Sequence, residues 1–219
     1  MKREKFVLHR ANWVRPPGPV GHGLKIGLMG GSFNPAHEGH VHVAETALKR
    51  LGLDYVWWLV TPHNPLKPTV GLAPLEDRVA QAKGIARHPR IVVVDLEHGL
   101  GTRYTIDTLK ALHRRFAGTK FVWLMGSDNL AGFKNWHRWP EIVAQAPIAV
   151  VMRPGSVMAP LYSHVVHRFG ASRLSDGKIA EFQAPAITVI DGKRNAQSSS
   201  AIRAAMDGGV ALVQAIPSC

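Results

Sequence analysis

The chain has 219 residues, 46% of them hydrophobic and 19% charged, with 27 Lys and Arg against 15 Asp and Glu for a net charge of +12. That apolar fraction excludes a disordered chain, and the length supports a core without disulfides or structural metal. No apolar run approaches the roughly 20 residues of a membrane span, so the charge surplus points to soluble anionic partners, with nucleic acid, phosphorylated metabolites and acidic surfaces all open.

Residues 1–23 hold Lys2, Arg3, Lys5, Arg10 and Arg15 with no apolar stretch behind them, and end in Arg15-Pro-Pro-Gly-Pro-Val-Gly-His-Gly23. Pro and Gly at that density resist helix and sheet, so this segment is expected to be a flexible basic extension and the domain to occupy 24–219. The single cysteine is the last residue, Cys219, which suits a reducing compartment, here expected to be the cytoplasm.

From residue 24 the chain alternates. Short β-rich apolar runs stand at Leu24–Met29, Tyr55–Val60, Ile91–Val94, Phe121–Met125, Ile148–Met152 and Ile187–Ile190. They are continuous rather than alternating, the pattern of strands buried on both faces. Between them lie helical stripes: Val41, Ala44, Leu48 and Leu51 before Gly52; Leu75, Val79, Ala82 and Ala86 behind Glu76 and Asp77; Ile106, Leu109, Leu112 and Phe116 opened by Thr105 as N-cap and closed near Gly118. Residues 154–186 are weakly patterned and read as a helix-loop insertion. Strand-helix-strand repetition implies an α/β fold: a parallel β-sheet with helices on both faces and ligands outside the carboxyl ends of the strands.

The polar, Gly-rich chemistry follows those ends. The first strand leads into Gly30-Gly31-Ser32-Phe33-Asn34-Pro35-Ala36-His37-Glu38-Gly39-His40. Glycines permit a tight turn and close backbone approach, and a helix starting near Glu38 or Gly39 offers N–H groups and a dipole to an anion. His37 and His40, three residues apart, fall on one side of that helix start and suit a phosphate that gains charge in a transition state. The spacing differs from the His-Glu-x-x-His of zinc proteases, the loop lacks the Gly-Lys-Ser/Thr of a P-loop, and it is not Gly-x-Gly-x-x-Gly. After the fourth strand, Asp128 can accept from ribose hydroxyls. Trp57, Trp58 and Trp123 lie in strands and are expected to be structural, with Trp139 in the core. Near the C-terminus, Ser198-Ser199-Ser200-Ala201-Ile202-Arg203 places hydroxyls at a helix start and a guanidinium fork one turn in, a further phosphate site.

The first loop resembles the signature of the nucleotidyltransferase superfamily, a histidine-x-glycine-histidine motif on a Rossmann-like sheet. The longer string is similar to that of bacterial nicotinate-nucleotide adenylyltransferases, with Asn34 where Asp is usual. Further motifs follow in the family's order. Thr61-Pro62-His63-Asn64-Pro65-Leu66-Lys67-Pro68 is similar to a Pro-rich loop ending in His-Lys, with Leu66 in place of the His. Arg78 stands at the usual basic position of the next helix and could equally be surface charge. Tyr104-Thr105-Ile106-Asp107-Thr108-Leu109 matches Tyr-Thr-x-Asp-Thr-Leu. Gly126-Ser127-Asp128-Asn129-Leu130 and Trp136-His137-Arg138-Trp139 match Gly-x-Asp-Asn-Leu and Trp-x-x-Trp. Gln197 to Arg203 is similar to Ile-Ser-Ser-Thr-x-Ile-Arg.

The resemblance runs from about residue 24 to about 213, beyond which the family usually continues with a terminal helix. It implies a Rossmann-like nucleotidyltransferase fold and transfer of AMP from ATP to nicotinate mononucleotide, giving nicotinate adenine dinucleotide and pyrophosphate in NAD biosynthesis. His37, His40 and Arg203 would be catalytic. Gly30, Gly31, Ser32, Phe33, Lys67, Asp128, Ser199 and Ser200 would hold ATP and its phosphates. Tyr104, Thr105 and Trp136 would hold the nicotinate nucleotide. Mg²⁺ would arrive with ATP, without a protein metal site. Neither nucleic acid nor membrane is an expected partner, and the sequence does not fix the oligomeric state. The alternatives are another nucleotidyltransferase, acting on nicotinamide mononucleotide or pantetheine phosphate, or a basic nucleic-acid-binding module.

Overall fold

The computed structural model describes residues 18–63, 70–152 and 183–190, with residues 168, 179, 181, 202 and 203. Its centre is a parallel sheet of β1 (Lys25–Gly31), β2 (Tyr55–Val60), β3 (Ile91–Val94), β4 (Lys120–Gly126), β5 (Ile148–Val151) and β6 (Ile187–Ile190), ordered β3-β2-β1-β4-β5-β6. The helices are α1 (Glu38–Arg50), α2 (Leu75–Ile85), α3 (Leu96–Leu100), α4 (Thr105–Arg115), α5 (Ser127–Leu130) and α6 (Trp139–Gln145). None of the described helices is long and apolar enough to cross a membrane.

Successive side chains of each strand enter opposite cores, which is why the runs are apolar throughout. Val56, Trp58, Val60, Val122, Leu124, Ala149 and Val151 join Val43, Ala44, Ala47 and Leu48 of α1 and Ala82 of α2 on one face. Trp57, Leu59, Phe121, Trp123, Ile148 and Val150 join Ile106, Leu109 and Leu112 of α4 and Ile142 and Val143 of α6 on the other. Trp57, Trp58 and Trp123 are fully buried, each contributing roughly 1.5–3 kcal/mol or more of burial. Trp139 is half-buried against the second core.

Three expectations need correcting. Gly30 and Gly31 lie in β1, paired with Leu59 and Val60, and not in a turn beyond it. A Cβ on Gly30 would stand 2.8 Å from Cη2 of Trp123, so the indole on β4 demands a glycine there. The N-cap of α4 is Tyr104, in extended conformation, rather than Thr105, which is the first helical residue. Residues 18–23, expected to belong to a flexible extension, are tied to the domain. Gly23 N–H donates to Gly118 O (2.8 Å), Thr119 Oγ1 accepts from Gly21 N–H (3.2 Å) and donates to Gly21 O (3.1 Å), and Val20 packs on the second core. Gly and Pro preclude regular structure but not docking by backbone hydrogen bonds. Residues 1–17 and nearly all of the expected insertion at 154–186 lie outside the described residues.

Candidate active site

The strand order reverses between β1 and β4, and in such sheets the crevice beyond the carboxyl ends at that point is where ligands bind. The loop from β1 to α1 forms one wall. Phe33 has φ 46°, a left-handed backbone costing of order 1 kcal/mol or more for a bulky residue. Burial of its ring offsets this: it is 1% exposed, stacked on Trp58 (5.1 Å, 20°) and against His40 (4.7 Å). Phe33, expected to hold ATP, could touch a ligand only through its backbone.

The two histidines cap their own helix. His37 is the N-cap of α1, and its Nδ1 accepts from Gly39 N–H (3.0 Å). His40 Nδ1 accepts from His37 N–H (3.2 Å), closing a reciprocal capping box. Two of the N–H groups expected to face an anion are therefore used internally. A ring nitrogen that accepts carries no proton, so each neutral imidazole holds its proton on Nε2 and presents an N–H donor there. The ring centroids are 3.9 Å apart at an interplanar angle of 38°, so the two rings lie against each other. His37 is buried and His40 half-buried. The pair thus replaces backbone donors by side-chain donors at the same helix terminus, a geometry suited to phosphate oxygens.

Three side chains fix this loop. Arg78 on α2 is 1% exposed and gives hydrogen bonds to the carbonyls of Ser32, Thr61, Pro62 and Ala73. It is not surface charge; burial lowers the pKa of the guanidinium, with nearby Glu76 opposing. Position 78 falls on the stripe of Leu75 and Ala82, so its inward face was legible although its charge argued otherwise. Asn34 Nδ2 donates to Gly71 O (2.8 Å) and its Oδ1 accepts from Ala73 N–H (3.3 Å). Arg203 Nη1 donates to Asn34 O across 169 residues, which sets this guanidinium beside the first loop.

The second wall is the start of α4. No side chain caps it, so the N–H of Thr105, on a half-buried residue at its head, is left for an external acceptor, while Ile106 behind it is buried. This contrasts with α1. The Tyr104 ring stacks on His137 (4.2 Å, 29°), which the sequence did not single out, and Arg103 lies over it at 5.9 Å. His137 adjoins Trp136, which is half-buried, edge-on to Trp123 (6.0 Å) and tilted against Phe133 (5.1 Å). Asp128 is exposed on α5, just past β4. Behind α4, Thr108 Oγ1 lies 2.9 Å from Thr102 Oγ1 and donates to Tyr104 O and to Glu97 Oε1 (3.4 Å). Glu97 is 5% exposed and its Oε2 has no partner. Burial pushes its pKa up, against the hydroxyls of Thr61 and Thr108. No sequence signal marks Glu97, since it sits in a short helix that periodicity cannot detect.

The structure thus brings His37, His40, Arg203 and the Gly30–Phe33 segment, the end of β1 and the start of the loop after it, together, and sets Tyr104, Thr105 and Trp136 along the other wall. Lys67, Ser199 and Ser200 lie outside the described residues. Among the described residues no three His, Cys, Asp or Glu side chains could together hold a metal ion.

Residues 28–205 match the family model described as cytidylyltransferase-like. A probable nicotinate-nucleotide adenylyltransferase of Rhizobium meliloti is 50% identical over 188 residues, covering 84% of this chain and 100% of the relative. A protein of the same description from Parvibaculum lavamentivorans is 50% identical over 184 residues, covering 83% and 92%. Among solved structures, the fold is similar to Plasmodium falciparum nicotinic acid mononucleotide adenylyltransferase complexed with NaAD, at TM-score 0.63 and 18% identity over 83% of each chain.

Proposed function

Given that the chain belongs to the cytidylyltransferase-like family, and within it to the nicotinate-nucleotide adenylyltransferases, we propose that the two walls of its crevice divide the reaction between them. The activity is transfer of AMP from ATP to nicotinate mononucleotide, releasing pyrophosphate and forming the deamido dinucleotide, a step of NAD biosynthesis. The nucleotide phosphate attacks the α-phosphorus in line. It is already ionised at neutral pH, so no general base is needed, and catalysis is positioning and charge stabilisation.

His37 and His40 donate through Nε2 to the ATP phosphates, His40 to the bridging oxygen of the α-phosphate. Arg203, with Ser199 and Ser200, holds the departing β- and γ-phosphates, and Lys67 adds charge from the loop after β2. The backbone from Gly30 to Phe33 lies along the triphosphate, and Asp128 accepts from a ribose. Mg²⁺ brought with ATP would be held by phosphates and water and would offset phosphate charge. On the other wall, the uncapped N–H of Thr105 at the head of α4 takes the nicotinate carboxylate, while Tyr104 and Trp136 flank the pyridine ring. The reaction belongs in the cytoplasm, where a chain with its one cysteine at position 219 stays reduced.

The observation that carries this division is the contrast between the helix starts: α1 is closed by two imidazoles that present N–H donors, and α4 is open. The test is pyrophosphate release from ATP with nicotinate mononucleotide, nicotinamide mononucleotide or phosphopantetheine in parallel. Nicotinate mononucleotide is expected to be the best acceptor, and preference for phosphopantetheine overturns the assignment.

A further inference from the structure

Arg78 is the largest buried charged side chain among the described residues, and none of the described carboxylates pairs with it. A buried cation is costly, and an apolar side chain of similar volume would fill the same space more cheaply. Its bonds show what a cation does there that an apolar group could not. Nε donates to Ala73 O (2.9 Å), Nη1 to both Ser32 O and Thr61 O (2.7 Å each), and Nη2 to Pro62 O (3.0 Å). The acceptors come from three segments: the loop after β1, the exit of β2 and the approach to α2. Only a planar fork with five donors can bridge three backbones at once.

The consequence for the loop is directional. In a trans peptide the C=O and N–H point opposite ways. Turning Ser32 O toward Arg78 therefore turns the N–H of Phe33 away from it, in a backbone already held at φ 46°. The Asn34 side chain repeats the connection on the outside, gripping Gly71 and Ala73. We infer that Arg78 is a positioning residue for the triphosphate: from beneath the loop it sets the backbone that lies along ATP, without itself touching substrate. This rests on the assignment of that loop to ATP made above.

Steady-state kinetics of Arg78→Lys and Asn34→Ala test it, each with ATP and nicotinate mononucleotide varied in turn, beside calorimetric titration of ATP alone. Lysine keeps the charge but gathers its donors on a single nitrogen, without the planar fork. Arg78→Lys should raise the KM and Kd for ATP about 10-fold or more and lower kcat about as much, with the KM for nicotinate mononucleotide within about twofold. Asn34→Ala, at a half-buried position outside the core, should raise the KM for ATP by about threefold with native circular dichroism. A merely structural role would lower the active fraction, reducing kcat and leaving both KM values and the Kd alone. Unchanged ATP affinity in both variants overturns the inference, and Asn34→Ala decides it if Arg78→Lys does not fold. A wild-type chain that binds ATP but does not use nicotinate mononucleotide instead overturns the substrate assignment, and the ATP titration still reads the clamp.

Discussion

Replacing His40 separates two jobs that one imidazole does. Its Nδ1 accepts from His37 N–H at 3.2 Å, a cap bond, and its Nε2–H is the proposed donor to the α-phosphate. His40→Ala removes both. Loss of the cap costs about 1 kcal/mol, which lowers Tm by roughly 2–4 °C in a domain of this size. Loss of a transition-state donor costs about 10²–10³ in kcat, roughly 2.7–4 kcal/mol. His40→Asn removes only the second: the carboxamide oxygen stands where Nδ1 stood, and nothing occupies the position of Nε2. Thermal unfolding and pyrophosphate release should therefore diverge. Both variants lose at least about 100-fold in kcat, whereas only the alanine variant loses the cap's share of Tm. Near-normal turnover by His40→Asn would refute the donor role, and a wild-type Tm in His40→Ala would refute the cap.

Three other perturbations follow from the geometry. Gly30→Ala drives a methyl to 2.8 Å from the buried Trp123 ring and should cost about 1–3 kcal/mol; adding Trp123→Phe should recover part of that loss, and strictly additive losses in thermal melts would show that the two do not touch. Trp136→Ala should raise the KM for nicotinate mononucleotide about 10-fold and leave that for ATP alone, from loss of about 1–3 kcal/mol of stacking, and an unchanged KM removes Trp136 from the pyridine site. Glu97 has its folded pKa raised above the ordinary 4.5, so the folded state binds the proton more tightly than the unfolded one. Stability then falls as pH rises from about 4.5 to the folded pKa, the reverse of a salt-bridged carboxylate. Glu97→Gln abolishes that fall, so its Tm should gain on wild type as pH is raised from 4 to 8, and a gap independent of pH rejects a titrating Glu97.

The strands were legible to within two residues because two cores claim alternate side chains, leaving each run unbroken and apolar, and the largest miss is the Gly30-Gly31 end of β1. The start of α1 was legible to within a residue, at Glu38 or Gly39, because a loop rich in Gly and Pro meets a helical stripe there. What lay hidden depends on partners distant in sequence. Gly30 is a glycine because of an indole on β4, and Phe33 tolerates a left-handed backbone because its ring finds Trp58 and His40. Arg78 looks like any exposed helical arginine until four carbonyls from other segments are brought around it. Thr105 looked like a cap by residue type, but Tyr104 takes that position in extended conformation with its ring held by His137.

The bond from Arg203 to the carbonyl of Asn34 joins positions 169 residues apart, one just past the first strand and the other beyond the last. A ribosome therefore delivers the loop with the first strand and the guanidinium that grips it only after β6. On the phosphate role proposed for Arg203, completing the sheet and completing the ATP site are separate events in synthesis, the second following the first.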